Sequence, residues 1–195
     1  MALTIDLMTG GTGDAARMLA RLGPNGDFSN ATSELGNLAH SPAMTKEAHH
    51  FCPLLFCFRF REPLYSVSRM TFILLDLTTL IDTTLDVRKH GALVRSAAVG
   101  SLQSCAHLLL STLDRNFPTV EENKNDARTS NFKCSYAAAL EVLRSGSVEI
   151  QPDAKRYVNQ RGQWEPFVRR VGRALGYGTD EIDCRRPVKE AAASQ

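Results

Sequence analysis

From Met70 the chain places apolar residues at three- and four-residue intervals: Met70, Ile73, Leu77, Leu80, Ile81 and Leu85. That recurrence puts one apolar stripe on a helix. The intervening threonines and the β-branched Ile73 and Ile81 lower helix propensity and leave a strand as the alternative. A longer stripe follows in Val94, Ala98, Leu102, Cys105, Leu109 and Leu113, predicting a helix over 91–113. A second, small and polar face of that helix carries Ser96, Gly100, Ser104, His107 and Ser111. Small residues lower the ridges on a helix surface, so this face is expected to let a neighbouring helix approach closely. Asp114-Arg115-Asn116-Phe117-Pro118 ends the helix, because proline disfavours helical geometry in the residue before it.

Residues 118–131 read as a charged loop, and Phe132, Tyr136, Ala139, Leu140 and Leu143 as a helix ended near Gly146. Asp153 is placed to cap a helix through about Gln160. Gly162 is expected to interrupt it, and Pro166 to open a final helix ended at Gly176. Upstream, Leu3, Ile5 and Leu7 alternate with Thr4 and Asp6, predicting a brief strand. Asp14 caps a predicted helix through Leu22, and residues 24–48 read as loop with at most a short helix. The sum is an all-α protein: a four- or five-helix bundle with an irregular N-terminal third. The expected divisions are a glycine- and polar-rich segment over 1–64, a helical domain over 65–178 and a tail over 179–195.

Composition adds little direction. Hydrophobic content of 43% and charged content of 23% over 195 residues suit one globular core. The net charge of +2 names no partner, although residues 1–50 hold three Lys/Arg against five Asp/Glu and residues 151–195 hold nine against six. Asp76 and Asp82 interrupt the most apolar stretch and argue against a transmembrane span. The opening Met-Ala-Leu-Thr-Ile-Asp lacks a basic segment followed by a long apolar run, so no secretory signal is expected there. Five cysteines without framework spacing read as free thiols in a reducing compartment, and a cytoplasmic location is expected.

Several partial motifs bear on chemistry. Thr9-Gly10-Gly11-Thr12-Gly13 sits between a predicted strand and a predicted helix, where backbone N–H groups can approach a phosphate. Residues 7–17 resemble the first βα turn of nucleotide-binding Rossmann proteins and are similar to the opening of precorrin-6A reductases. That resemblance implies cofactor contacts from Gly10, Gly11 and Gly13. The pattern departs from it at Ala16, where many such proteins carry a third glycine, and in lacking a second hydrophobic strand ending in an acid. No cofactor is expected on balance. His49, His50, Cys52 and Cys57 are metal-ligand types, but no second close pair completes a tetrahedral set, and no metal site is expected. His107 lies within one turn of Ser104 and Ser111 without an acid to orient it, and no histidine follows it. No catalytic residue is assigned.

Arg169, Arg170 and Arg173 lie on the last predicted helix, with Lys155, Arg156 and Arg161 before it and Tyr157, Trp164 and Phe167 interspersed. Basic side chains neutralise phosphates and aromatics stack on bases, so these three arginines are the nucleic-acid candidates. Phe167, Val171, Ala174 and Leu175 are expected to form the opposite, apolar face.

The stretch from Ala92 to Ala106, with the later order of charged loop, Phe132/Tyr136 helix and Arg161-Gly162-Gln163-Trp164-Glu165-Pro166, resembles HEPN-type helical domains over about residues 70–176. The resemblance implies an all-helical, often dimeric binding or antitoxin-like module. The ribonuclease motif of that family ends in histidine on the last helix and has no counterpart here. The leading expectation is therefore a non-enzymatic interaction module whose partner is another protein or a second copy, joined through Ser96, Gly100, Ser104, His107 and Ser111. Nucleic-acid binding and nucleotide-dependent catalysis are the alternatives.

Overall fold

A computed structural model describes residues 1–51, 61–116 and 127–185. Among these residues there are nine α-helices and no strand, with one isolated bridge between Leu85 and Ile150. The all-α expectation is met.

Helix α4 (Val67–Thr84) is the axis of the fold. Ser66 caps it, accepting from the Arg69 amide at 3.4 Å, and every residue of the helix except Arg69 and Asp82 is buried. A helix covered on all sides cannot show a clean single stripe. Its threonines are accommodated by bonding back to the helix: Thr71 to the Val67 carbonyl at 2.8 Å, Thr79 to Leu75 at 2.7 Å and Thr83 to Thr79 at 2.7 Å. With those hydroxyls satisfied, the threonines that favour a strand on paper sit in a buried helix.

The N-terminal third differs most from expectation. The predicted strand is helix α1 (Ala2–Thr9). Ile5 and Thr9 face the core while Leu3 and Leu7 face water, so a five-residue alternation concealed two faces of a helix spaced by four. Gly10 ends α1 in the left-handed region at φ 69°, and the Gly11 amide reaches the Asp6 carbonyl at 2.8 Å. Helix α2 (Ala15–Leu22) starts at Asp14, as predicted. The expected loop over 24–48 is largely helix α3 (Ala31–Phe51), which buries Ala31, Leu35, Leu38 and Ala39 and packs on α6. Those four positions have helical spacing inside a polar composition that read as loop.

The helix predicted over 91–113 is two helices, α5 (Val87–Val94) and α6 (Ala97–Asn116). Ser96 breaks them, its hydroxyl accepting from the Val99 amide at 3.2 Å. After α7 (Ala127–Ser145), helix α8 (Ala154–Ala174) runs unbroken through Gly162 and Pro166, which were expected to divide it. Packing of its buried face on α4 outweighs the bond lost at Pro166. Gly176, at φ 78°, closes α8, and the short α9 (Thr179–Ile182) follows in the segment expected to be tail. One continuous apolar core links Ile5 in α1 to Ile182 in α9.

Candidate functional site

Two places concentrate polar and aromatic side chains. The first is a groove of about 200 Å³ between α6 and α8, lined by His107, Leu110, Ser111, Asp114, Gln163, Trp164 and Phe167. Phe167 on its α8 rim is 39% exposed, and Leu108, which follows the lining residue His107 on α6, is 46% exposed. The Arg170 Nε donates to Asp114 Oδ1 at 3.0 Å while its guanidinium lies 4.9 Å from the Phe167 ring centre. That pair ties one end of the groove and holds the ring at its rim. Partial burial against the groove pushes the His107 pKa below its ordinary 6.5.

Of the five residues predicted to form an interface, Gly100, Ser104, His107 and Ser111 are exposed on α6, and a Cβ on Gly100 would meet nothing within 4 Å. Ser104, His107, Leu108 and Ser111 share one face by their spacing. Ser96 stands apart, half-buried as the cap of α6.

The arginines of α8 are drawn into the protein's own charge pairs. Arg169 bonds to the buried Glu165 one turn earlier, and Arg170 is held by Asp114. Their side chains are 12% and 18% exposed, and only Arg173 of the three is an exposed residue. The inward stripe of α8 is Tyr157, Arg161, Trp164, Val168, Val171 and Leu175; Phe167 and Ala174, expected to face inward, are exposed.

The glycine turn follows a helix rather than a strand, and its anion-facing end is already occupied. Asp14 Oδ1 accepts from the Ala16 amide at 2.9 Å, placing a carboxylate at the start of α2. Gly10, Gly11 and Gly13 all have φ between 65° and 76°, and a Cβ on Gly13 would collide with the Arg69 guanidinium. Backbone conformation and this close approach account for the glycines.

The second polar place was not legible as a unit. Arg161 is 1% exposed, and its Nη1 donates to Ser135 Oγ at 2.8 Å and to Tyr157 Oη at 2.7 Å. Its Nη2 donates to Asp183 Oδ2 at 2.5 Å. Tyr157 in turn donates to Asp76 Oδ1 at 2.7 Å, and Arg185 pairs with both Asp76 and Asp14. Phe72 and Phe132 flank the Arg161 guanidinium at 5.0 and 5.1 Å. Burial opposes its charge, but Tyr157, Asp183 and Glu165 outweigh that and its pKa is raised. Burial also raises the Tyr157 pKa, with Arg161 opposing the shift. These groups bond chiefly to one another, which ties α4, α7, α8 and the C-terminal segment together. A sequence signal existed: Arg161 and Asp76 each fall on an apolar stripe, the position of a charge that must be paired.

Among the described residues, no three His, Cys, Asp or Glu side chains gather as a metal site. Cys52 and Cys57, and the side chains of His49 and His50, lie outside the described residues. Cys105, Cys134 and Cys184 are free thiols, and no described helix is long and apolar enough to cross a membrane. No family model matches this sequence, and no curated protein or solved structure matches the chain.

Proposed function

We propose that this protein is a non-enzymatic interaction module of a reducing compartment, the cytoplasm, acting through the exposed face of α6 and the adjoining groove. The observation that carries the reading is two large apolar side chains left exposed, Phe167 at 39% on the groove and Leu108 at 46% on the α6 face that carries Ser104 and Ser111. Small residues at Gly100, Ser104 and Ser111 would let a partner helix lie close, and the aromatic rim would anchor it. The partner is a second copy, with the two α6 faces self-complementary about a two-fold axis. The resemblance to HEPN-type domains, often dimeric, supports the same role.

The competing readings have less support. Arg169 and Arg170 are held by Glu165 and Asp114, so phosphate contacts would have to displace existing pairs. The glycine turn lacks its preceding strand, and Asp14 fills the position a phosphate would take.

Size-exclusion chromatography with light scattering tests the proposal. A dimer is expected, weakened by Gly100→Leu and by Leu108→Asp, neither of which alters a buried position. A monomer that persists on concentration removes it. Retention on mixed oligonucleotides at low salt, lost with Arg169 and Arg170 reversed, would put nucleic acid in its place.

A further inference from the structure

After α8 the chain turns at Gly176 and returns across the α4–α8 surface as the segment Gly178–Arg185, held by one apolar and several polar contacts. Ile182, 2% exposed, is seated against Gly172 of α8, where a Cβ would collide with its Cδ1. The missing side chain is the notch. Asp183 Oδ2 accepts from Arg161 Nη2 at 2.5 Å, and Arg185 Nε lies 2.7 Å from Asp14 Oδ1 while its Nη2 pairs with Asp76. Arg69 Nη1 donates to the Glu181 carbonyl at 3.2 Å. Three amides within the segment are bonded in this docked arrangement: Gly178 to Glu181 Oε2 at 2.5 Å, Asp183 to the Thr179 carbonyl at 2.9 Å and Arg185 to Asp183 Oδ1 at 3.2 Å.

The attachment is uneven. Its regular structure is a single four-residue helix, and its apolar anchor is one side chain. Its last polar anchor brings the Arg185 guanidinium to 6% exposure between Asp14 and Asp76, where Nη1 makes no hydrogen bond. A buried donor without a partner carries a desolvation cost that release into water removes. By contrast α8 buries seven residues along its length and is capped at its start by Asp153.

We propose that Gly178–Arg185 is a latch that docks on and detaches from the α4–α8 surface as one unit while the helices beneath stay folded. Opening lays bare a slot with the Gly172 notch as its floor and Asp14, Asp76 and Arg161 along its walls.

Native-state hydrogen exchange of the full chain, read by mass spectrometry, tests this. The amides of 178–185 exchange together and at least about a hundredfold faster than those of α8 between 157 and 171, the mark of sub-global opening. Ile182→Ala speeds exchange in the latch by about tenfold or more and leaves α8 unchanged. Gly172→Ala gives the same result from the other side: it fills the notch, loosening the latch, while alanine in place of glycine favours α8. Exchange of the latch at the rate of α8, or equal acceleration of both by either variant, overturns the proposal.

Discussion

Tyr157 and Asp76 stand 81 residues apart in sequence, yet the tyrosine hydroxyl donates to the carboxylate at 2.7 Å in a site closed to solvent. The same hydroxyl accepts from Arg161, so one oxygen bridges a buried anion and a buried cation. Replacing Tyr157 with Phe removes both bonds and leaves the Asp76 carboxylate short of a partner. A loss of about 1–3 kcal/mol is expected in denaturant unfolding, because an unsatisfied buried group costs more than the bond it made.

Arg161→Met goes further. It strands the Asp183 carboxylate in the interior and leaves Asp76 with Arg185 and Tyr157 alone, and a destabilisation of about 3–5 kcal/mol is expected from breaking a buried pair on one side. Adding Asp183→Asn to Arg161→Met should recover part of the loss, since the stranded group is then neutral. A double-mutant cycle measures the coupling directly.

The raised pKa of Tyr157 sets a direction for alkaline stability. Above its ordinary 10.0 the unfolded chain loses the phenolic proton while the native state still holds it. The stability contributed is therefore complete below 10.0 and declines as pH rises toward the folded value. Unfolding followed across that window should show a steeper decline in the parent protein than in Tyr157→Phe.

His107 carries the opposite sign at lower pH. Its folded pKa lies below 6.5, so the unfolded chain takes up the proton first. Its contribution is present above 6.5 and is lost as pH falls through the lowered value. Imidazole chemical shifts should place the midpoint under 6.5, and Phe167→Ser, which opens the groove, should return it toward 6.5.

The glycine turn separates conformation from contact. Gly11, at φ 76°, has open space around a Cβ, so Gly11→Ala is expected to cost only about 1–2 kcal/mol, the left-handed conformation alone. Gly13 has the same conformation and the Arg69 guanidinium against it, so Gly13→Ala should be the more destabilising in thermal melts.

What the sequence disclosed follows from length and period. Asp14 and Asp153 were legible as caps because a short acceptor at a helix start has one local job. The inner stripe of α6, with Leu102, Leu109 and Leu113 buried, was legible from its spacing. α1 was misread because five residues sample too little of either period. α3 was missed because Ala31, Leu35, Leu38 and Ala39 are dispersed among residues typical of turns. At the candidate groove, His107 and Ser111 were identified, while Asp114 and Phe167 had been given other roles. The Arg161 cluster joins four chain segments, and no local pattern reports which distant carboxylate an arginine will meet.

The burial of α4 on every side has a consequence for how the chain must assemble. Helix α2, from the first quarter of the sequence, and helices α8 and α9, from its last, both pack against α4. Neither α2 nor α8 can be removed without wetting a flank of that helix, so α4 is completed by segments from both halves of the sequence. Assembly of the native state therefore brings together α2 and α8, far apart in sequence, and the loop entropy of that closure is part of what their packing on α4 must offset.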